Sequence, residues 1–163
     1  MLLRILQALL TLIVRWLTGP RAPEQIPPGA ALPPQPAQRP DAVRVEYAPR
    51  IDGDPDPGEV VWTWVAFEED PAQGKDRPVL IVGRRRDQLT CVALTSKRHE
   101  RTAQVELGVG PWDRDGRVSY AKVDRLIDVA PGSVRREGAV LDRARFDRVV
   151  AALRQAHGAI IEG

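Results

Sequence analysis

The sequence predicts a mainly β domain that ends in one α-helix, arranged as a small open barrel. Two observations support this fold class. Short apolar, β-branched segments alternate with turn residues through the middle of the chain, as they do in small all-β folds. A single amphipathic segment near the C-terminus has capping residues at both ends, which is typical of a helix packed on a sheet. A third observation, an abrupt change of composition before residue 43, separates this domain from an apolar N-terminal segment.

Length and composition limit the classes of protein that this chain can be. With 163 residues, of which 43% are hydrophobic, the chain can form one packed domain with additional terminal segments. The formal net charge of +2 is too small to indicate a nucleic-acid partner by itself. The only cysteine, Cys91, lies in an apolar run and is expected to be a buried, inert thiol. One cysteine and two histidines without paired spacing do not form a zinc site, so we predict no metal and no cofactor.

Residues 1–18 are strongly apolar and form the first predicted unit. Its polar residues recur every three or four positions and therefore fall on one face of a helix. Arg15 lies inside the apolar run, which disfavours a membrane-spanning helix. A helix lying on the membrane surface, with Trp16 at the interface, fits this pattern better. A spanning anchor and a helix packed against the domain or a partner remain the alternatives. The expected location is the cytoplasm, with association with the inner face of the membrane if the surface helix forms.

Residues 19–42 form the second predicted unit, a linker. The segment is rich in proline, alanine and glutamine, a composition that favours an extended, semi-rigid spacer. The third unit, residues 43–163, is the predicted barrel domain.

The strands of this domain are predicted from apolar alternation and from continuous apolar runs. Pro78–Val82 is nearly all apolar, which indicates a central strand, whereas the alternation near Val43 indicates an edge strand. Trp62 and Trp64 share one face of their strand and need cover from another layer or from a partner. The predicted extended segments are Val43–Tyr47, Glu59–Phe67, Pro78–Val82, Leu89–Thr95, Thr102–Leu107 and Val118–Val129.

The C-terminal helix is predicted to begin after Asp142 and to end at Gly158. Aspartate is a favoured N-cap residue, and glycine is favoured just beyond the last helical turn. The apolar face of this helix consists of Phe146, Val149, Val150 and Leu153.

Two sequence motifs resemble a known family. Pro57–Trp62 reads PGEVVW, and Gly74–Val82 reads GKDRPVLIV. This pair, separated by a polar loop, resembles the two strands of the PemK/MazF family of toxin endoribonucleases. Leu94-Thr95-Ser96 resembles the third motif of the family, a strand that ends in Thr or Ser. The resemblance covers roughly residues 43–158 and leaves residues 1–40 outside it.

The resemblance implies an SH3-like barrel of the PemK/CcdB type that forms a two-fold homodimer. It also implies a toxin of a toxin-antitoxin system that cleaves single-stranded RNA without a metal ion. In this reaction the ribose 2′-hydroxyl attacks the adjacent phosphate and leaves a 2′,3′-cyclic phosphate and a 5′-hydroxyl. A cognate antitoxin is the implied protein partner, and its tail blocks the RNA groove.

By position in the motifs, Arg77 is implied as the catalytic arginine and Thr95 as the catalytic hydroxyl. Lys122-Val123-Asp124 resembles an Arg-x-Asp pair that serves as acid and base, so Asp124 is the implied base. The chain departs from the family in two places. The loop Glu68–Gln73 is acidic and lacks the histidine of some members, and Lys122 stands where the family has arginine.

The chemistry of RNA cleavage needs a base, an acid and positive charge near the phosphorane. Arg77 can bind a phosphate with two parallel hydrogen bonds, which lysine cannot reproduce. His99 is an alternative acid. All three lysines of the chain adjoin the motifs and are therefore candidate RNA-binding residues, together with a serine of the third motif. The candidate RNA-binding residues are Lys75, Ser96, Lys97 and Lys122.

Each candidate residue also has a purely structural alternative. Arg77 could bridge Asp76 or the acidic loop, Thr95 could bond its own backbone, and Asp124 could pair with Lys122 or Arg125. The function has alternatives as well. One is a non-catalytic module of the same fold, tethered to a membrane surface or a partner by the first helix. Another is a first helix that binds a partner or inhibits the domain itself.

Overall fold

The computed structural model of the protein describes residues 41–50 and 52–163. The predicted N-terminal helix of residues 1–18 and nearly all of the predicted linker lie outside these residues. In the part of the chain that the structure describes, no helix is long and apolar enough to cross a membrane.

The described residues form a nine-stranded sheet and one α-helix, α1. Two single 3-10 turns, Pro131–Ser133 and Gly158–Ile160, flank the last part of the fold. The strands are β1 (Val43–Val45), β2 (Glu59–Ala66), β3 (Gly74–Arg85), β4 (Gln88–Thr95), β5 (Gln104–Gly108), β6 (Ser119–Lys122), β7 (Ile127–Val129), β8 (Arg135–Val140) and β9 (Ile161–Glu162). The helix α1 spans Arg143–His157.

The sheet is open and curled. Its main path runs β5-β6-β4-β3-β1-β9, while β2 pairs with β3 and β8, and β7 pairs with β4. The two ends of the path, β5 and β9, both contact α1, so the sheet wraps around the helix. The mainly β class with a C-terminal helix is therefore confirmed.

The helix holds the larger of two apolar clusters against the sheet. The predicted face is confirmed, because Phe146, Val149, Val150 and Leu153 are all buried. Burial of each such side chain stabilises the fold by about 1.5–3 kcal/mol. The predicted caps are present too. The Asp142 carboxylate accepts a hydrogen bond from the Arg145 N–H at 3.0 Å, and the Gly158 N–H donates to the Arg154 carbonyl.

The strand β4 changes its pairing partner along its length, and this change opens a fork in the sheet. Along its first part β4 pairs with β3, and this ladder ends at Val79–Ala93. Proline has no N–H to donate, and Pro78 is the next residue of β3. From Leu94 onward β4 pairs with β6 instead. The two strands therefore diverge, and a fork opens between the first residues of β3 and the end of β4.

The distal part of the β2–β3 hairpin extends beyond the neighbouring strands. The β8 ladder reaches no farther along β2 than Trp62–Arg135. Past this point, Thr63–Ala66 pairs only with residues 74–77 of β3 in the described part of the sheet. This ribbon carries Lys75, Asp76 and Arg77.

Three predictions about strands need correction. Val43–Val45 is not an edge strand, because it lies between β3 and the parallel strand β9 from the other end of the chain. Val118–Val129 forms two strands, with a turn at Val123 and Asp124 between them. The strands β8 and β9 were not predicted at all. The central position of β3 is confirmed by the complete burial of Val79–Val82.

Candidate active site

A groove of about 970 Å³ occupies the fork between β3 and β4. Lys75–Pro78 of β3 form one wall, and Leu94–Lys97 form the other. The loop between β5 and β6 closes one end with Pro111, Asp113 and Arg117, among others. The divergence of the two strands thus brings together Lys75, Arg77, Thr95, Ser96, Lys97 and Lys122, which all line the groove.

Arg77 is partly buried in this groove and has no acidic partner among the described residues. Its Nε atom is buried without a hydrogen-bond partner. Burial, together with the nearby positive charge of Arg125, lowers the pKa of Arg77. The expected structural alternative, a salt bridge from Arg77 to Asp76 or to the acidic loop, is not observed. Asp76 pairs with Arg135 at 2.9 Å, and Glu68 of the loop pairs with Lys122. A guanidinium in this state is suited to bind an anion.

Thr95 lies at the end of β4, and its hydroxyl oxygen accepts a hydrogen bond from the Lys97 N–H at 3.1 Å. The hydrogen bond between the Thr95 side chain and the local backbone, expected as its structural alternative, is therefore present. It uses only the acceptor side of the hydroxyl, so the O–H can still donate toward the groove. The turn that this bond closes directs the chain from Thr95 to Ser96 and Lys97, which are both exposed.

Gln104, which the sequence did not point to, holds the segment after Thr95 in place. Its side-chain carbonyl accepts a hydrogen bond from the His99 N–H at 3.0 Å. Its side-chain amide donates to the Lys97 carbonyl at 3.3 Å. Both Lys97 and His99 line the groove, so one β5 side chain fixes the backbone that presents them. A glutamine in an alternating strand gives no sequence signal for this role.

Asp124 lies apart from the groove, in an adjoining cavity of about 320 Å³. Arg77 and Lys122 line both spaces and therefore connect them. Lys122 Nζ is 3.8 Å from Asp124 Oδ2, so the salt bridge that was the structural alternative for Asp124 is present. Val123 and Asp124 form the turn after β6, and the Asp124 carboxylate lies beside Lys122 and lines the second cavity.

The acidic loop between β2 and β3 covers this second cavity. Glu68 Oε1 is 3.5 Å from Lys122 Nζ and 3.8 Å from the Arg125 guanidinium. Asp70 organises the loop, since its carboxylate accepts hydrogen bonds from the Ala72 N–H and from the Gln73 side chain. The loop thus presents a carboxylate to two cations beside Arg77.

The loop between β5 and β6 that closes the groove is held by hydrogen bonds, and its part in the groove was not predicted. Trp112 is buried, and its indole N–H donates to the Ser119 hydroxyl at 3.0 Å. Asp113 accepts hydrogen bonds from Arg117 Nε at 3.0 Å and from the Asp115 N–H at 2.9 Å. Among the described residues, no group of three or more His, Cys, Asp or Glu side chains could hold a metal ion.

A comparison with protein families matches residues 56–157 to the PemK-like, MazF-like toxins of type II toxin-antitoxin systems. The match spans more than half of the chain and includes Arg77, Thr95 and Asp124. The chain belongs to this family. The resemblance seen in the strand motifs is therefore confirmed, and the groove at the fork is a feature of a PemK-like toxin.

Several solved structures are similar to this PemK-like toxin. One is an endoribonuclease in complex with its cognate antitoxin from a mycobacterial species, with 20% identity, coverage of 64% of this chain and 96% of that chain, and a TM-score of 0.49. Another is a MazE-MazF structure from Deinococcus radiodurans, with 19% identity, coverage of 66% and 98%, and a TM-score of 0.46. MazF from Deinococcus radiodurans shows 20% identity, coverage of 66% and 99%, and a TM-score of 0.47. No curated protein matches the sequence.

Proposed function

We propose that this PemK-like toxin is an endoribonuclease that cleaves single-stranded RNA without a metal ion. The observation that carries the proposal is the partly buried, unpaired guanidinium of Arg77 in the same groove as Thr95. An arginine left without an acidic partner in a polar groove provides a phosphate site. Titratable and charged groups with perturbed environments cluster at functional sites more often than elsewhere.

The charge of the groove supports an RNA substrate. No described residue forms an ion pair with Lys75, Arg77 or Lys97, and all three line the groove. Unpaired cations along an open channel can each neutralise a backbone phosphate. The net charge of the whole chain is small, so the attraction is local to this groove.

The proposed reaction assigns one task to each side chain. Asp124 accepts the proton of the ribose 2′-hydroxyl, whose oxygen then forms a bond to the adjacent phosphorus. Arg77 stabilises the negative charge that develops on the phosphorane, and the Thr95 hydroxyl donates to one of its oxygens. The bond from phosphorus to the 5′-oxygen breaks, and Lys122 or His99 supplies the proton to that oxygen. The products are a 2′,3′-cyclic phosphate and a 5′-hydroxyl.

Cleavage of single-stranded RNA in EDTA by the purified protein tests the proposal. Arg77→Ala should reduce the rate at least about 100-fold, because it removes a charge that acts on the transition state. Arg77→Lys should recover little of it, since lysine lacks the planar pair of donors. Arg84→Ala is the matched control, because Arg84 is bound to the Pro55 carbonyl and lies outside the groove. An Arg77→Ala protein as active as the wild type would reject the assignment.

A second candidate function is a binding module of the same fold that does not cleave RNA. The pairing of Lys122 with both Glu68 and Asp124 favours it, because these bonds occupy the groups proposed to move protons. Tight RNA binding with intact RNA after long incubation at enzyme excess would select this function over the nuclease.

The proposed protein partners follow from the family and from the groove. An antitoxin segment with acidic residues would compete with RNA for Lys75, Arg77 and Lys97. A homodimer is also proposed. Sedimentation of the purified protein, alone and with a co-expressed antitoxin, tests both assemblies.

A further inference from the structure

Two tryptophans share one face of the β2–β3 hairpin with an ion pair. Trp62 lies opposite Pro78 on β3 and opposite Arg135 on β8, while Trp64 lies opposite Asp76. Directly opposed residues point to the same face of a sheet, and so do residues two apart along one strand. Trp62, Trp64, Asp76 and Arg135 therefore stand on the same face.

The ion pair crosses β2 between the two indoles. Arg135 starts from the strand on one side of β2, and its guanidinium is 2.9 Å from the Asp76 carboxylate on the other side. Arg135 is level with Trp62, and Asp76 is level with Trp64. The salt bridge consequently runs diagonally over the strand, on the face that carries the two indoles.

The two indoles differ in exposure. Trp62 is partly buried and lines the groove, as do Asp76 and Arg135. Trp64 is 59% exposed, the largest value among the exposed large apolar residues of the described chain. A Cβ added at Gly74 would lie 2.9 Å from Trp64 Cε2, so the indole rests close to the β3 backbone there. The ring is held on one side and open to solvent on the other.

We propose that Trp62 and Trp64 form a stacking platform for two successive bases of single-stranded RNA as the strand leaves the groove. The inference rests on the proposed function and extends it from the phosphate site to the bases. Residues two apart along a strand are about 6.6 Å apart, so an RNA strand with splayed bases can place one base on each ring. Aromatic rings that carry successive bases are the usual means of binding single strands without sequence readout.

The cations of the groove, and the continuity of the groove with the face that carries the tryptophans, favour RNA as the ligand of this face. Lys75 and Arg77 flank Asp76 on β3 and by strand alternation project to its other face, but they line the same groove as Trp62. A strand bound in the groove therefore meets these cations where it reaches the tryptophans. Trp62 belongs to the groove, and Trp64 continues its face outward on the other side of the ion pair. Arginine guanidinium planes also stack on bases, and Arg135 is held by Asp76 at the level between the rings.

The test compares binding of a 2′-O-methyl oligoribonucleotide of mixed sequence with binding of the same backbone without bases. The 2′-O-methyl group removes the nucleophile, so binding is measured by anisotropy without cleavage. Trp64→Ala should weaken binding of the base-bearing strand about 5- to 100-fold and leave binding of the abasic strand unchanged. Trp64→Phe should retain most of the affinity. Val140→Ala, which shortens another exposed apolar side chain, should change neither.

Each other outcome overturns the platform. Equal losses on the base-bearing and abasic strands would mean that Trp64 acts through the fold or the charges. Unchanged binding of the base-bearing strand by Trp64→Ala would also reject the platform. If Trp64→Ala binds RNA normally but no longer self-associates, Trp64 is a contact between two copies of the chain. If the wild-type protein and Arg77→Ala both fail to bind either strand, the proposed function fails together with the platform.

Discussion

At the scale of single residues, Arg77 shows how the environment determines what a side chain can do. The chain contains arginines on several strands and turns, and those in the β3–β4 turn are bound to carboxylates or carbonyls. Arg77 differs because its neighbours Asp76 and Glu68 pair with other cations. An anion bound in the groove, as proposed, would offset the desolvation of its guanidinium.

Cys91 allows a prediction about pH at the same scale. Burial, reinforced by the charge of Asp128, raises the pKa of the Cys91 thiol well above the ordinary value of 9.0. Above pH 9 the thiol of the unfolded chain loses its proton, whereas the folded one keeps it, so the unfolded state is favoured. The free energy of unfolding should fall by up to about 1.4 kcal/mol per pH unit there.

The measurement is urea unfolding at several values between about pH 8 and about pH 10, for the wild type and for Cys91→Ala. The difference between the two free energies isolates the thiol from the other groups that titrate in this range. Parallel curves for the two proteins would contradict the prediction.

The sequence allowed prediction of some residues that line the groove and not of others, for physical reasons. Arg77 and Thr95 lie at the ends of apolar runs, and such ends can be located from the pattern alone. Asp124 was expected beside them, yet β6 ends at Lys122, and the turn carries the carboxylate into a second cavity. The roles of Gln104 and Trp112 depend on partners outside any local pattern.

At the scale of elements, the loop between β2 and β3 places the Glu68 carboxylate against two cations beside Arg77. Glu68→Gln should release Lys122 and Arg125 from this carboxylate and strengthen RNA binding about 2- to 5-fold, which corresponds to an exposed ion pair. The gain should shrink as the salt concentration rises, because exposed charges are screened. Anisotropy at several salt concentrations measures both effects.

Glu69→Gln is the control for this prediction. Glu69 lies in the same loop and lines the same cavity, but no described residue forms an ion pair with it. Both substitutions remove one negative charge, so any difference between them reports the contacts of Glu68. Equal gains would show that the loop acts through its net charge alone.

The strands that were missed or misplaced share one cause: the partner of a strand depends on the whole sheet and not on the local sequence pattern. The strand β8, Arg135–Val140, has no apolar alternation, and it forms because β2 offers a free edge there. The alternation of Val43–Val45 is equally compatible with an edge position and with its observed place between β3 and β9. Its parallel partner comes from the C-terminus, which no local window contains.

At the scale of the whole molecule, the prediction concerns the segment outside the described residues. The described residues have apolar clusters of their own. A chain lacking residues 1–40 should therefore keep its melting temperature and its RNA cleavage. It should lose the ability to float with anionic liposomes, if residues 1–18 form the expected surface helix.

Flotation of the full chain and of the shortened chain, side by side, is the measurement. Equal flotation of the two proteins would rule out membrane attachment through this segment. Loss of cleavage in the shortened chain, with an unchanged melting temperature, would instead show that the segment contributes to the groove.

The divergence of β4 has a consequence for how this toxin can change through mutation. Ala93 and Leu94, where the strand passes from β3 to β6, are both buried, so the angle of the fork is set by core packing. The distance between Arg77 and Thr95 depends on that angle, and small displacements of reacting groups reduce rates strongly. Substitutions that change the packing of this part of the core should therefore shift the proposed catalytic geometry as well. The stability of the fold and the geometry of the proposed site depend on the same few side chains.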